Sequence, residues 1–448
     1  FLQKEGKAVI DLRAVEDSGT CRPISEVPFP APFASGVEYA APARGPWNIV
    51  HVGMLIPESH QIFVCAQGCL RGVVLTAAEM GAGDRFSTIT VRENNVLDGD
   101  MERLIIDGTT DILEKLGRHP RALLIYTSCI HHFIGCDLEY VYKKLRGRFP
   151  DIDFTDCYMN PIMRKSKMSP DAKMRQQLYS LLKPREKDGK SVNIIGNIAE
   201  IHPESELLSM LRAGGFRVRD ICWCRTYDEY QEMAESAANI SWNPAAVPAG
   251  ETLADRLGQE HFYLPLSYDF GEITANLQRL SDALGLPMAD VGALKKKAES
   301  SLERAAEAVK GMPVSIDYTA TPRPLGLAKL LLEHGFQVES VYADSFTAED
   351  KPDYDWLREH CGNLEIHPTI HPKMGLLAAG RTPRKNVLAI GQKAAYFNGT
   401  NHFVNLLEGG GLYGFEGICA LCDLIEEAAR EEKDTRSIIQ VKGWGCCG

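Results

Sequence analysis

Runs of consecutive apolar residues alternate along this chain with segments that carry an apolar stripe at helical spacing. Residues 62–65 and 122–126 are two such runs, and residues 99–116 between them have the helical pattern. Apolar runs without polar alternation are typical of parallel strands that helices cover on both faces. The first part of the chain therefore predicts a strand–helix–strand unit.

The same alternation returns twice further along the chain. Glycines follow several of these later strands and helices, as is common where such elements end. Residues 291–310, which are rich in Ala, Lys and Glu, predict a long polar helix between the second and third blocks. The later predicted strands are residues 191–196, 216–222, 312–317, 336–341 and 385–391.

Strands that alternate with helices predict doubly wound parallel sheets, so the expected fold class is α/β with three Rossmann-like domains. A chain of 448 residues is also too long for one hydrophobic core. The first residues are rich in proline, which removes an amide donor and restricts the preceding residue, so they predict an irregular arm. The predicted segments are an arm over residues 1–46, domains over 47–188, 189–290 and 312–448, and a bridging helix over 291–311.

Composition and charge narrow the class of function. A net charge of −11 argues against nucleic acid as a partner, because nucleic-acid binding requires basic faces. No apolar run approaches the ~18 residues that indicate a membrane span. The first residues also lack the charged and apolar regions of a secretory signal. We therefore expect a cytoplasmic protein with no membrane partner.

The 13 cysteines are the main candidates for chemistry. Without a secretory signal they do not suggest a disulfide framework. Cys65 and Cys69 lie at the end of one predicted strand and just after it, and Cys129 directly follows another. Ligands bind at the carboxyl ends of strands in open α/β sheets, so these thiols are expected to converge. Several thiolates at one place suit an iron–sulfur cluster.

Short sequences with the same order and spacing occur in a known family. They are Gly68-Cys69, Thr127-Ser-Cys129, Ile134-Gly-Cys-Asp137, residues 324–335 and Leu412-Tyr-Gly-Phe-Glu-Gly417. Taken together, they resemble nitrogenase component 1, a family of nitrogenase subunits, cofactor-assembly scaffolds and nitrogenase-like reductases. The resemblance implies three Rossmann-like domains around a central cleft and a cluster held by the first domain at a subunit interface. It also implies electrons from a separate ATP-hydrolysing iron protein, and this chain has no P-loop sequence of its own.

The resemblance assigns cluster ligands residue by residue. Cys69 matches the Gly-Cys ligand of the family, and Cys129 matches the later Thr-x-Cys ligand. The family's first ligand usually lies about two dozen residues before the Gly-Cys cysteine, and that stretch has no cysteine here. Cys21 or Cys65 is expected to replace it, or else an acidic residue does so. The cluster is then either a [4Fe-4S] cluster or a larger one like the P-cluster.

A second departure concerns the cleft, where the nitrogenase cofactor is ligated by a cysteine and a histidine. Residues 240–244 match the cysteine segment but contain no cysteine, and His402 lies near the position of the histidine. We expect Asn401, His402 and Glu408 to line the cleft and to contact a substrate or a second metallocofactor. Each of these residues can equally belong to a solvated loop.

The resemblance thus predicts an iron–sulfur subunit of a nitrogenase-like reductase. Such a subunit would receive low-potential electrons from an ATP-dependent iron protein and reduce a small molecule or a tetrapyrrole. It would act as a homodimer or as a heterodimer with a homologous subunit. The alternative is a scaffold that assembles a complex metallocofactor without substrate turnover.

A thiolate-cluster dehydratase is a third possibility, but the chain carries no clear acyl-coenzyme A signature. Cys446-Cys447 near the end is either a tail, a redox pair or a metal ligand.

Overall fold

The structure is a computed structural model that describes residues 20–34, 36, 38–39, 41, 48–160, 168–376 and 386–439. Cys446, Cys447 and much of the predicted arm lie outside these described residues. In the described ranges, no helix combines the length and the apolar character needed to cross a bilayer.

The seven predicted strands and the long polar helix are present, and the described residues contain seven further strands that were not predicted. The strands are β1 (Arg22–Pro23), β2 (Ser59–Ala66), β3 (Phe86–Val91), β4 (Ala122–Ser128), β5 (Asp153–Met159), β6 (Asp188–Ile194), β7 (Arg217–Asp220), β8 (Ser236–Ser241), β9 (Glu260–Tyr263), β10 (Val314–Asp317), β11 (Val338–Tyr342), β12 (Glu365–His367), β13 (Leu388–Ile390) and β14 (Phe403–Val404). The helices are α1 (Ile49–Met54), α2 (Gln67–Glu79), α3 (Glu93–Leu97), α4 (Met101–Lys115), α5 (Cys129–Phe133), α6 (Leu138–Arg148), α7 (Pro170–Leu178), α8 (Glu206–Ala213), α9 (Tyr227–Glu232), α10 (Val247–Leu257), α11 (Phe270–Leu284), α12 (Val291–Ala308), α13 (Pro324–Glu333), α14 (Lys351–His360), α15 (Gln392–Asn398), α16 (Gly414–Arg430) and α17 (Thr435–Ile439).

The described strands form three sheets, each built mainly from one block of the chain. The strand orders are β3-β2-β4-β5, β7-β6-β8-β9 and β1-β12-β11-β10-β13-β14. Every pairing is parallel except that of β1 with β12. The predicted α/β class with parallel sheets is confirmed. The domain boundaries stay a prediction.

Each sheet contains one point where the strand order reverses, which we call its switch point. The reversal lies between β2 and β4 in the first sheet, between β6 and β8 in the second, and between β10 and β13 in the third. Crossovers on the two sides of a switch point lead in opposite directions, which leaves a crevice outside the carboxyl ends of the two strands. The three switch points are therefore the places where a site is expected.

One predicted element is wrong. The apolar residues among positions 47–53 predict a short strand or loop leading into a buried site, but residues 49–54 form the buried helix α1. A short apolar run cannot distinguish a strand from a buried helix, and packing decided this case. The Tyr126 hydroxyl donates to the Ile49 carbonyl at 3.0 Å, and a side chain at Gly53 would collide with Tyr126 and Gln61.

The sequence from Leu412 to Gly417 joins the second and third sheets. The Glu206 carboxylate accepts from the backbone amides of Phe415 at 2.6 Å and Glu416 at 3.2 Å, at the start of α16. A carboxylate at a helix amino terminus satisfies free amide groups and interacts favourably with the helix dipole. Gly414 has a φ of +76°, and a side chain there would overlap the Glu206 carboxylate. These contacts explain why glycine and not a larger residue starts α16.

Candidate functional site

The switch point of the first sheet brings Cys129 close to Cys65 and Cys69, which lie some sixty residues earlier in the sequence. Val64 pairs with Thr127 across β2 and β4, one residue before Cys65 and two residues before Cys129. Cys69 lies in the first turn of α2, and Cys129 is the first residue of α5. Parallel strands end at the same edge of a sheet, so the loop after each strand opens into the same crevice. We call Cys65, Cys69 and Cys129 the thiol site.

The electrostatics of the thiol site support this proximity. Cys65 is fully buried, whereas Cys69 is exposed and Cys129 is partly buried. Burial, with smaller contributions from the nearby thiols of Cys69 and Cys129, raises the pKa of Cys65 to about 12. Such contributions require short separations, because charge interactions weaken with distance. A bound cation would oppose this shift and favour the thiolate.

The spacing of the sulfur atoms bears on what the site can hold. Among the described residues, the thiols of Cys65, Cys69 and Cys129 do not all lie within 4.8 Å of one another. Around one tetrahedral metal ion with metal–sulfur bonds of about 2.3 Å, ligand sulfurs lie only about 3.8 Å apart. The three described thiols are therefore not arranged around a single tetrahedral ion.

A buried histidine adds a donor next to Cys129. The Nδ1 atom of His131 accepts from the Ser128 backbone amide at 3.1 Å, so Nε2 carries the proton of the neutral ring. Burial lowers the pKa of His131 and favours that neutral form. His131 Nε2 is buried and has no hydrogen-bond partner among the described residues. The charged group that acts on the ring is Glu102 on α4, so His131 offers this buried N–H two residues after Cys129 on the side of α4.

Cys21 is not part of the thiol site. It precedes β1, which pairs antiparallel with β12 at the edge of the third sheet. Its sulfur there lies beside the side chains of Glu365 and His367. The structure therefore does not support the expectation that Cys21 supplies the third ligand of the first-sheet cluster.

Two of the residues predicted to line the cleft lie elsewhere. Asn401 and His402 precede β14 and so lie at the amino end of that strand, opposite the edge where parallel sheets bind ligands. His402 Nδ1 donates to the Ala428 carbonyl at 2.9 Å, and Asn401 Nδ2 donates to Glu432 Oε2 at 3.4 Å. Both side chains thus contact the end of α16 and the residues after it. The predicted grouping of Asn401 and His402 with Glu408 is not found.

Glu408 follows β14 at the carboxyl edge and lies at the junction of all three sheets. Its carboxylate accepts from Asn48, from Arg175 and, at 3.2 Å, from Asn243. Asn48 caps α1, Arg175 lies on α7, and Asn243 follows β8 at the switch point of the second sheet. The Glu408 amide donates to the carbonyl of Thr319 at 2.9 Å, just beyond β10 at the switch point of the third sheet.

Arg175 is the centre of this junction. Its side chain is fully buried, and its guanidinium also donates to Asp171 at 2.8 Å and to the Gly196 carbonyl at 2.8 Å. Burial alone would lower the pKa of Arg175, but Asp171 and Glu408 raise it above its usual value. Burial raises the pKa of Asp171 to about 6, although Arg175 opposes the shift. We call Asn48, Asp171, Arg175, Asn243 and Glu408 the junction network.

Comparison with known proteins decides the family. The family model for nitrogenase component 1 type oxidoreductases matches residues 49–375, which is most of the chain. The chain belongs to this family. Two solved structures titled "Nitrogenase Cp1" share the fold of this component 1 chain. The structure at pH 6.5 has a TM-score of 0.65 and 15% identity and covers 89% of this chain and 94% of its own. The structure at pH 5 has a TM-score of 0.56 and 12% identity and covers 92% and 94%. No curated protein sequence matches the chain.

The known properties of the family are relevant to the thiol site and the junction network. Nitrogenase component 1 proteins are oxidoreductases that bind iron–sulfur clusters, act with an iron-protein reductase and form oligomers. In this component 1 chain, the thiol site lies at the first switch point, and the junction network connects the first sheet to the other two.

Several functional candidates carry no sequence motif. Of the residues in the junction network, only Glu408 was identified from the sequence. A single arginine in a polar helix, such as Arg175 in α7, ordinarily indicates a solvated face. Lys393 at the third switch point was missed as well. It is buried, its pKa is lowered by burial, and Asp317 and Asp344 oppose that shift. Ser169 accepts from the Ala172 amide at the start of α7, but nothing local in the sequence indicates the burial of Arg175.

Replacing Glu408 with alanine should strongly destabilise the protein. The change leaves the buried Arg175 guanidinium with Asp171 as its remaining carboxylate and removes the acceptor of two asparagine amides. Breaking a buried ion pair on one side typically costs on the order of 3–5 kcal/mol. Urea unfolding of the purified variant measures this loss. Asp111→Ala, which removes an exposed partner of Lys115, is the matched control and should leave the midpoint unchanged. An unchanged midpoint for Glu408→Ala would contradict the role of the junction network.

Proposed function

We propose that this chain is the iron–sulfur subunit of a nitrogenase-like reductase. It receives low-potential electrons from an ATP-hydrolysing iron-protein partner and reduces a small molecule or a tetrapyrrole in the cytoplasm. The observation that carries the proposal is the thiol site at the first switch point, in a chain of the component 1 family.

Within this proposal, Cys65, Cys69 and Cys129 hold the cluster. The short distance between β2 and β4 favours Cys65 over Cys21 as the third ligand. The bound cluster would supply one-electron chemistry at low potential. The exposed Cys69 lies on the side open to a partner, and the buried Cys65 lies in the core of the sheet.

His131 tunes the site in this proposal. An N–H donor beside a cluster sulfur lowers the electron density on that sulfur and raises the reduction potential. The Ser128 backbone amide fixes the ring orientation by donating a hydrogen bond to His131 Nδ1. The burial of His131 keeps the ring neutral, so the donor remains available without adding a charge.

Exposed apolar side chains support docking next to the thiol site. Among the described residues, the large hydrophobic side chains that are exposed all lie between positions 74 and 140 in the first block. Leu97 is 81% exposed at the end of α3, and Phe133 is 71% exposed at the end of α5 that begins with Cys129. Apolar surface of this kind marks protein contacts. We assign this side to a second component 1 subunit, identical or homologous.

The substrate site is proposed at the junction network. The switch points of the second and third sheets meet there, and crevices at switch points bind ligands. The residues that follow β8 are Trp242 and Asn243, and neither has a soft metal-binding side chain. A permanently bound second metallocofactor would need such a ligand at this position. The presence of Trp242 and Asn243 favours a reductase with a single cluster over a scaffold that carries a second metallocofactor.

Replacing Cys69 or Cys129 with alanine should remove the cluster. Anaerobically purified wild-type protein is expected to contain iron and acid-labile sulfide and to absorb in the visible range, and each variant should lose most of all three signals. Cys422→Ala is the matched control, because Cys422 is buried inside α16 and belongs to a different hydrophobic core cluster from Cys65. Wild-type iron content in both Cys69→Ala and Cys129→Ala would refute the proposed ligands.

Replacing Phe133 with aspartate should weaken subunit association. A charge in an apolar contact loses the buried area and adds a desolvation cost, so the variant should sediment as a monomer at concentrations where the wild type is a dimer. Glu260→Lys, at an exposed position of β9, is the control and should sediment like the wild type. A wild-type protein that stays monomeric with full iron content would rule out this interface.

A further inference from the structure

We propose that Cys21, Glu365 and His367 form a second metal site, separate from the thiol site, that binds one divalent ion of the zinc type. One ligand atom from each side chain lies within 4.8 Å of the other two. No other group of three such side chains among the described residues is as compact. The site shares no residue with the thiol site or with the junction network, so it does not depend on the proposed function.

The backbone register sets the three side chains on one face of the sheet. Arg22 pairs with Ile366 and Pro23 with Glu365 in the antiparallel ladder of β1 and β12, which places Cys21 opposite His367. Directly opposed residues in an antiparallel pair project to the same side, and so do residues two apart in one strand. Cys21, His367 and Glu365 therefore meet because of strand pairing.

His367 is held in place by its neighbours. Its ring stacks on Tyr342 with centroids 4.6 Å apart and planes 24° apart, and its side chain is only 12% exposed. Its Nε2 lies 3.0 Å from Glu365 Oε2. Two ligand atoms on one tetrahedral zinc ion with bonds near 2.1 Å lie about 3.4 Å apart. If His367 Nε2 and Glu365 Oε2 moved apart by a few tenths of an ångström, their separation would match that of two ligands on one zinc ion.

The chemistry of the three ligands selects the class of ion. One thiolate, one imidazole and one carboxylate form a borderline set that suits zinc and disfavours magnesium and calcium, which take oxygen ligands. The thiolate and the carboxylate together balance the charge of a divalent ion. Three protein ligands leave a fourth position open. Glu365 also lines a groove of about 680 Å³ with His360 and Cys361, so solvent can reach this side chain.

The proposed ion would fasten the amino-terminal arm to the third sheet. The β1–β12 pairing involves only two residues of β1, and one of them is a proline without an amide donor. So short an edge pairing contributes little by itself. The arm is held mainly by the buried side chains of Ile24 and Val27 just after β1, so a metal at Cys21 would add a contact at the upstream end. A metal bridge between Cys21 and β12 would stabilise this attachment across a separation of more than 340 residues in sequence.

Metal analysis of the purified chain tests the site without any assay of activity. The wild-type protein, equilibrated with Zn²⁺ and then desalted, should retain about one zinc per chain. Cys21→Ser and His367→Ala should bind zinc roughly 100-fold more weakly or worse, since even outer-shell partners cost 10–100-fold in affinity. Both variants should keep the iron content of the wild type, because iron is expected at the thiol site. Cys361→Ala, in the same groove, is the matched control and should retain zinc.

Cobalt serves as a spectroscopic probe for the thiolate. Co²⁺ added to the zinc-free wild type should give a thiolate-to-cobalt charge-transfer band that is missing in Cys21→Ser and present in Cys69→Ala. A wild-type protein that binds neither ion, or a band that survives in Cys21→Ser, would overturn the proposal. Loss of the band in Cys69→Ala but not in Cys21→Ser would assign the metal to the thiol site and would equally overturn it.

Discussion

The parallel pairing of β2 with β4 is the constraint on which the candidate chemistry depends. Cys65 and Cys129 are more than sixty residues apart, and only this pairing brings the ends of their strands together. The strand order reverses between the same two strands, so the crevice they border is not covered by a crossover. Without this pairing, Cys65 would be a core cysteine and Cys69 an isolated surface thiol.

The junction network supplies a second constraint, which fixes the first sheet relative to the other two. Each nitrogen of the buried Arg175 guanidinium donates to an acceptor: the Gly196 carbonyl, Asp171 or Glu408. Asp171 lies on the same helix as Arg175, whereas Gly196 follows β6 and Glu408 follows β14, so these bonds form together only when the second and third sheets are correctly placed. A buried ion pair is weak evidence for added stability, but it specifies one arrangement strongly. The distance between a cluster at the thiol site and a substrate at the junction would be set in this way.

The strands with unbroken apolar runs and the family could be predicted from the sequence, whereas alternating or short strands such as β3 and β9 and several side-chain partners could not. Apolar runs and their terminal glycines predict β2, β4, β6 and β10 because buried parallel strands have a strong local pattern. The partner of Cys21 was beyond such reasoning. β1 has only two residues in a proline-rich arm, and its pairing with β12 is a contact at very long range. For His402, proximity in sequence to an expected ligand was misleading, because the ring lies at the amino end of its strand and contacts α16.

The candidate chemistry depends on an iron–sulfur cluster at the thiol site. Mössbauer spectroscopy of anaerobically purified, iron-57-labelled protein, combined with iron and acid-labile sulfide analysis, is the decisive measurement. A cluster at this site should give iron and sulfide in equal amounts, about four of each per cluster if it is a [4Fe-4S] cluster, with tetrahedral sulfur coordination. Protein that contains iron without sulfide, or that takes up neither on reconstitution, would show that the three thiols do not hold a cluster.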